Sequence, residues 1–225
     1  MTDDARLQWS VLMPVKVLAR AKSRLAGLAG PRRGELALAV ACDTVTAALR
    51  CRSAARVIVI TDDRRAAAAL GGLGALVVPD EPGDGLNAAL RHGAAHAAAR
   101  WPGCGTAALS ADLPALRPVE LERALTAAAQ WPNAFVPDAA GHGTTLYTAA
   151  PEAAFRPAFG LESRARHAAG GAAELALPDI PGLRRDVDTP ADLRIADALG
   201  LGARTAPLAA ELLAAELLRC APRGR

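Results

Sequence analysis

Lysine is almost missing from this chain: of 26 basic residues only Lys16 and Lys22 are lysines, and both fall in the stretch WSVLMPVKVLARAKSRL. Aromatic residues are also scarce at 3%, and the net charge is only +3, so the chain has neither the stacking surfaces nor the basic excess of a nucleic-acid binder. A small anionic ligand suits it better. The four cysteines, Cys42, Cys51, Cys104 and Cys220, show no C-x-x-C spacing, which gives no ground for a zinc site or for disulfides. The longest apolar runs are alanine-rich and broken by Arg, Glu or Pro, and the opening MTDDARLQ is acidic. Neither a membrane span nor a secretory signal is read there, and a soluble cytoplasmic protein is expected. The pattern G-x-x-x-x-G-K-[ST] is absent as well, which excludes a P-loop.

What is present is enough apolar residue, 52% of 225, for one α/β domain with a sizeable core. Apolar runs at Val11 to Val15, Arg56 to Thr61, Ala75 to Pro79 and Thr106 to Ser110 read as buried strands. Between them, helical spacing runs over Pro31 to Leu49, from the caps Asp62 and Asp63 to Leu70, and over Leu86 to Arg100. Strands alternating with helices predict an α/β fold with a mainly parallel central sheet and helices on both faces, ligands meeting the carboxyl ends of the strands. Further on, Trp131 to Pro137 and Thr144 to Thr148 read as strands, Gly141 to Gly143 as a tight turn and Ser163 to Ala169 as a short helix. Pro190 to Leu199 reads as a helix capped by Thr189. Residues 1–203 are taken as a single domain and 204–225 as an amphipathic helix and tail. The stripe Leu208, Leu212, Leu213 and Leu217 has two places to pack, the body or a second copy in a homodimer.

Three constellations carry chemistry. The loop after the first strand holds Lys16, Arg20, Lys22, Ser23 and Arg24. Ammonium, guanidinium and hydroxyl groups of that kind hold a polyphosphate. Gly83 to Ala88 matches G-x-G-x-x-A, but it follows the third strand through the acidic Asp80, Glu81 and Asp84, which would repel a pyrophosphate. Such carboxylates and backbone carbonyls suit the N–H groups of a base or sugar. Asp112, just past a buried strand, and the pair Asp186 and Asp188, on one side of an extended segment, offer hard oxygen ligands for magnesium shared with phosphates. The stretches Gly141 to Thr145 and Phe159 to Ser163 add hydroxyls and backbone N–H groups for a phosphate or carboxylate. No Ser-His-Asp arrangement is read, and His142 is a turn residue.

Taken in order, Pro14-Val15-Lys16, Ala21-Lys22-Ser23-Arg24-Leu25, Gly85-Leu86-Asn87, Ala111-Asp112-Leu113-Pro114, Gly143-Thr144-Thr145, Phe159-Gly160 with Ser163, and Asp186-Val187-Asp188-Thr189-Pro190 resemble the guanylyltransferases of coenzyme F-420 biosynthesis. These act on phosphoenolpyruvate or 2-phospholactate and belong to the nucleotidyltransferases of GT-A-like, nucleotide-diphospho-sugar transferase type. The resemblance implies that Lys16, Lys22, Ser23 and Arg24 hold the GTP triphosphate, with Lys16, Lys22, Arg24 and Asp112 as the catalytic group. It also implies that Pro79, Asp80, Gly85 and Asn87 meet guanine and ribose, and that Asp112 with Asp188 or Asp186 holds Mg2+. Thr144, Gly160 and Ser163 would bind the phosphoenolpyruvate. The partners implied are GTP and a small phosphorylated carboxylic acid. Alternatives kept open are a 2-phospholactate or 3-phosphoglycerate acceptor, a molybdopterin-type nucleotidyltransferase, which the first loop resembles less, and a non-catalytic nucleotide-binding module.

Overall fold

In the computed structural model, residues 7–18, 22–81 and 83–220 are described. Arg20 and Ala21 of the basic loop, Pro82, the opening 1–6 and the last five residues of the tail lie outside the described residues.

The strand β1 (Trp9–Pro14) is buried on both of its faces. Val11 and Met13 enter one apolar cluster, with Val45 and Leu125, and Leu12 enters another, with Ile58 and Leu90. An apolar run without alternation is what a parallel strand covered on both sides requires. Its neighbours are β2 (Ala54–Ile60) and β4 (Gly105–Leu109), both parallel to it, with Leu12 in register with Ile58 and Ala108. With β3 (Leu76–Val78), β5 (Asn133–Pro137), β6 (Thr144–Ala149) and β7 (Ala173–Glu174), the sheet among the described residues has seven strands in the order β3-β2-β1-β4-β6-β5-β7. Only β6 runs antiparallel, to both β4 and β5. The mainly parallel sheet read from the sequence is therefore the architecture of the chain.

The helices are α1 (Ala26–Ala29), α2 (Arg33–Leu49), α3 (Arg64–Gly71), α4 (Leu86–Arg100), α5 (Pro118–Ala128), α6 (Ser163–Ala169), α7 (Pro181–Arg184), α8 (Pro190–Leu199) and α9 (Thr205–Cys220). Asp63 caps α3, its carboxylate accepting from the N–H groups of Arg65 and Ala66, each at 3.0 Å. Thr189 caps α8, accepting from Asp192 N–H at 3.2 Å while the Asp192 carboxylate accepts from Thr189 N–H at 2.9 Å. Both caps follow the sequence reading. Helix α5 is not among the elements expected from the sequence. Its signals are Pro118 in the first turn and Glu120, which reaches back to Arg117 N–H at 3.2 Å. Leu121 and Leu125 then face the core.

The tail helix packs on the body of its own chain. Leu208, Ala209 and Leu212 are buried with Leu25, Leu28, Leu36, Val40, Val187 and Leu193. The Asp43 carboxylate on α2 receives the first N–H groups of α9, from Arg204 at 3.1 Å and Thr205 at 2.7 Å. This cluster holds together the basic loop and the acidic segment singled out in the sequence, since Leu25 follows the loop and Val187 stands between Asp186 and Asp188.

Candidate functional site

A cavity of about 420 Å³ opens at the carboxyl ends of β1 and β4, the end at which parallel sheets present ligand sites. Lys16, Lys22, Ser23 and Arg24 wall it from the basic loop, with Asp112 and Asp188 opposite. Lys16, Ser23 and Arg24 are exposed and hold donors open to a ligand. Lys22 is different. Its backbone adopts the left-handed conformation, φ 55 and ψ 42, uncommon for a side-chain-bearing residue. Its Nζ then donates to Asp112 Oδ2 at 2.6 Å and to Asp188 Oδ1 at 2.9 Å. Burial works against that charge, but the two carboxylates outweigh it and raise the ammonium pKa. The lysine expected on a triphosphate thus bridges two acidic residues.

The acidic side is held by the backbone. Val187 N–H donates to the Asp112 carbonyl at 3.1 Å, which fastens the two carboxylate-bearing segments together. Because both carboxylates bind one Nζ, their oxygens are no farther apart than the sum of those two bonds. Asp186 feels both of them: burial first, then the charges of Asp112, Asp188 and Asp138, push its carboxyl up to about 7. Among the described residues no three His, Cys, Asp or Glu side chains form a ready-made metal cluster.

From the segment expected to meet the base, Leu86 reaches the cavity wall, while Pro79, Asp80, Gly85 and Asn87 do not. Gly85 turns the chain into α4 at φ 86, a conformation glycine adopts without strain. Asp80 Oδ1 is buried without a hydrogen-bond partner among the described residues. Asn87 is fully engaged on another loop: its Nδ2 donates to the Phe159 carbonyl at 3.0 Å and its Oδ1 accepts from Phe159 N–H at 2.8 Å.

Thr144, Gly160 and Ser163 do not line the cavity; Phe159 does. Thr144 and the loop before Gly160 instead meet around His167, a residue the sequence reading passed over. Thr144 Oγ1 lies 2.9 Å from His167 Nδ1, and Ala158 N–H donates to Nε2 at 2.9 Å. A β-bulge makes this geometry. Val136 pairs with Leu146 but Pro137 pairs with Thr144, so the extra residue turns Thr144 onto the face of Tyr147 instead of that of Leu146. The Gly141 to Gly143 turn is fixed by the Asp138 carboxylate, which accepts from three successive N–H groups at 2.6, 3.0 and 2.8 Å. His142 is exposed there, in keeping with a turn residue. The signal that could have found His167 is its spacing, one helical turn after Ser163.

Comparison with known proteins gives a consistent result. A family model described as MobA-like NTP transferase domain matches residues 42–176. The chain is 64% identical over 209 residues to a phosphoenolpyruvate guanylyltransferase of Thermomonospora curvata, over 93% of this chain and 92% of that one. Its fold is similar to a solved protein from Desulfovibrio desulfuricans G20 assigned as a nucleotide-diphospho-sugar transferase, with TM-score 0.63, 18% identity and coverage of 85% and 96%. It is also similar to the manganese complex of Rv0371c from Mycobacterium tuberculosis H37Rv, with TM-score 0.51, 20% identity and coverage of 84% and 97%.

Proposed function

Because the chain belongs to the phosphoenolpyruvate guanylyltransferases, within the MobA-like NTP transferase domains, we propose that its cavity joins the GMP moiety of GTP to phosphoenolpyruvate. The products are enolpyruvoyl-2-diphospho-5'-guanosine and pyrophosphate, made in the cytoplasm as a step towards coenzyme F-420. The observation that carries this reading is the convergence of Lys16, Ser23 and Arg24 with Asp112 and Asp188 on one cavity. A basic loop facing an acidic pair is the arrangement needed to bring two polyanions together.

The chemistry needs no general base. A phosphate monoester has its second pKa near 6, so at neutral pH it is largely a dianion and attacks directly. Its oxygen forms a bond to the α-phosphorus of GTP, and the bond to the β-phosphate oxygen breaks, pyrophosphate leaving with the electron pair. Lys16, Ser23 and Arg24 orient and neutralise the triphosphate. Lys22 joins them whenever its ammonium leaves the carboxylates.

The donor set around Lys22 fits a divalent cation. Two carboxylates already converge on a single positive charge, and a third is pushed up to about 7 by burial and by those neighbours. Asp112 and Asp188 would hold magnesium, with Asp186 as the alternative ligand. The ion would supply charge neutralisation at the phosphates.

Pro79, Asp80 and Gly85 form the base-recognition segment in this reading. Asp80 Oδ1, buried without a partner among the described residues and set back from the cavity wall, would accept from the N1–H or amino group of guanine once the segment turns to the nucleotide. Adenine would leave such an acceptor facing its own N1 lone pair, at a cost of about 1–3 kcal/mol.

The test is pyrophosphate release with GTP or ATP and each of phosphoenolpyruvate, 2-phospholactate and 3-phosphoglycerate. GTP with phosphoenolpyruvate should be turned over best. Equal turnover of ATP overturns the base assignment, preference for another acid overturns the acceptor, and no release from any pair overturns the reaction.

A further inference from the structure

We infer that His167 is the positioning residue of the acceptor subsite, fixing the Thr144 hydroxyl and the Ala158 to Gly160 loop in the orientation that receives the anionic oxygens of the phosphorylated acid. The inference rests on the guanylyltransferase reading above and names a residue that reading does not use.

The direction of the two hydrogen bonds follows from the partners. Ala158 N–H can only donate, so His167 Nε2, at 2.9 Å, must be the acceptor nitrogen. In a neutral ring the proton then sits on Nδ1, and Nδ1–H donates to Thr144 Oγ1, also at 2.9 Å. A hydroxyl has one proton and two lone pairs. With a lone pair taken by the imidazole, the Thr144 proton is left for another acceptor, and the family resemblance puts the phosphorylated acid at Thr144, Gly160 and Ser163, behind the Phe159 that walls the cavity.

The ring is held so that this polarity does not change. His167 is only 2% exposed. It stacks on Tyr147 with centroids 4.5 Å apart and planes at 18°, meets Phe159 edge-on at 5.2 Å and lies 5.7 Å from Phe135. In a chain with seven aromatic residues, three of them enclose this one imidazole. Burial and, after it, the Arg166 charge lower its pKa to about 4, with the Ser163 carbonyl working in the opposite direction. The ring therefore stays neutral and keeps its Nε2 lone pair for Ala158.

Any buried histidine must satisfy both ring nitrogens; what singles out His167 is where its two partners lie. One bond goes to the first residue of β6, at the bulge that re-aims Thr144. The other goes to the residue before Phe159, whose side chain walls the cavity. From the opposite side Asn87 grips the same Phe159 backbone. His167 thus connects the two separate segments that carry Thr144 and Gly160, and sets the angle between them.

Steady-state kinetics of paired variants tests this. In His167→Gln the side-chain carbonyl reaches towards the Nε2 position, so the bond to Ala158 can persist while the donor to Thr144 is lost. His167→Asn is the converse, with an N–H near the Nδ1 position. Both lose the ring and each keeps one of the two bonds, so Gln reads the loss of the Thr144 bond and Asn the loss of the Ala158 bond. His167→Gln should raise the acceptor KM about tenfold or more and leave the GTP KM within about twofold. Thr144→Val should do the same, and the double variant should be no worse than the poorer single one, since both remove one interaction. His167→Asn, which frees the Ala158 to Gly160 loop instead, should also raise the acceptor KM while leaving the GTP KM within about twofold. Additive effects in the His167→Gln, Thr144→Val double variant, an unchanged acceptor KM in both Gln and Asn, or a joint rise in the GTP and acceptor KM values would overturn the inference. A second measurement uses the unaltered protein: nitrogen NMR of its four histidines, assigned by replacing His92, His96 and His142 in turn, should show the His167 ring neutral and protonated on Nδ1 between about pH 5 and 8. Protonation on Nε2 would overturn the inference even if no His167 variant folds. A wild-type protein that releases no pyrophosphate with any of the three acids overturns the reaction itself and the inference with it. Active wild type with additive variants overturns only the inference.

Discussion

The side-chain amide of Asn87, at the start of α4, makes a two-way hydrogen bond with the main chain of Phe159, donating at 3.0 Å and accepting at 2.8 Å. Two segments some seventy residues apart in sequence, which the proposed function gives to the nucleotide and to the acceptor, are thereby locked to each other.

Asn87→Ala should therefore loosen both substrates together. Loss of a part-buried hydrogen-bonded pair costs about 1–3 kcal/mol, so kcat/KM for GTP and for the acceptor should each fall by about fivefold or more. A rise confined to the GTP KM would instead place Asn87 directly on the nucleotide.

Lys22→Met removes the cation shared by Asp112 and Asp188. Activity should drop about tenfold or more, equivalent to at least about 1.4 kcal/mol of transition-state stabilisation. Without added metal, thermal unfolding should occur at lower temperature, because the carboxylates are left facing one another. That stability cost should be about 1 kcal/mol or less, since Asp188 is 48% exposed. Added magnesium should restore the transition temperature, and an unchanged melting profile in its absence would refute the bridging role.

Asp112→Asn and Asp188→Asn keep size and one acceptor oxygen, so a loss of activity reports missing charge. Each should leave a folded protein whose activity falls about tenfold or more and whose magnesium requirement moves to higher concentration. Wild-type behaviour of both at limiting magnesium would move the metal elsewhere. If only Asp188→Asn behaves as wild type, Asp186 is the ligand.

His167 makes the fold sensitive to acid. Its folded-state pKa is about 4 against an ordinary 6.5, so between those values the unfolded chain binds the additional proton. Its contribution to stability is present above about 6.5 and lost as the pH falls towards 4. The groups around the ring do not change charge in that window: Arg166 stays cationic, the Tyr147 phenol, pushed up by burial, stays neutral, and Thr144 does not titrate. Melting temperatures at pH 7 and 5 should differ less for His167→Asn than for wild type, and parallel losses would contradict this.

Leu208 is 5% exposed in the cluster that also buries Leu25 and Val187. Leu208→Ala should destabilise the protein by about 2–4 kcal/mol in chemical denaturation. A change below 0.5 kcal/mol, the size usual for surface positions at roughly that figure, would show that α9 does not brace the site.

Much of this was legible in the chain itself. Helix α4 from Leu86 to Arg100 and helix α8 from Pro190 to Leu199 match the sequence reading residue for residue, because Gly85 and the Thr189-Pro190 cap mark where each begins. Helix α5 was missed although Pro118 and Glu120 announce it. The gathering of Lys16, Ser23 and Arg24 with Asp112 and Asp188 on one cavity agrees with what their types and positions after strands suggested.

The sequence by itself determined the parallel sheet and most of the longer elements, because apolar periodicity and caps are local signals. Tertiary structure alone decided which partners the polar side chains take. That Lys22 bridges Asp112 and Asp188, that Asn87 grips Phe159 and that His167 bonds Thr144 and Ala158 are contacts between 9 and 166 positions apart. Such pairings depend on the sheet order, on one bulge between β5 and β6 and on the packing of α9 behind the loop, none of which has a local signature.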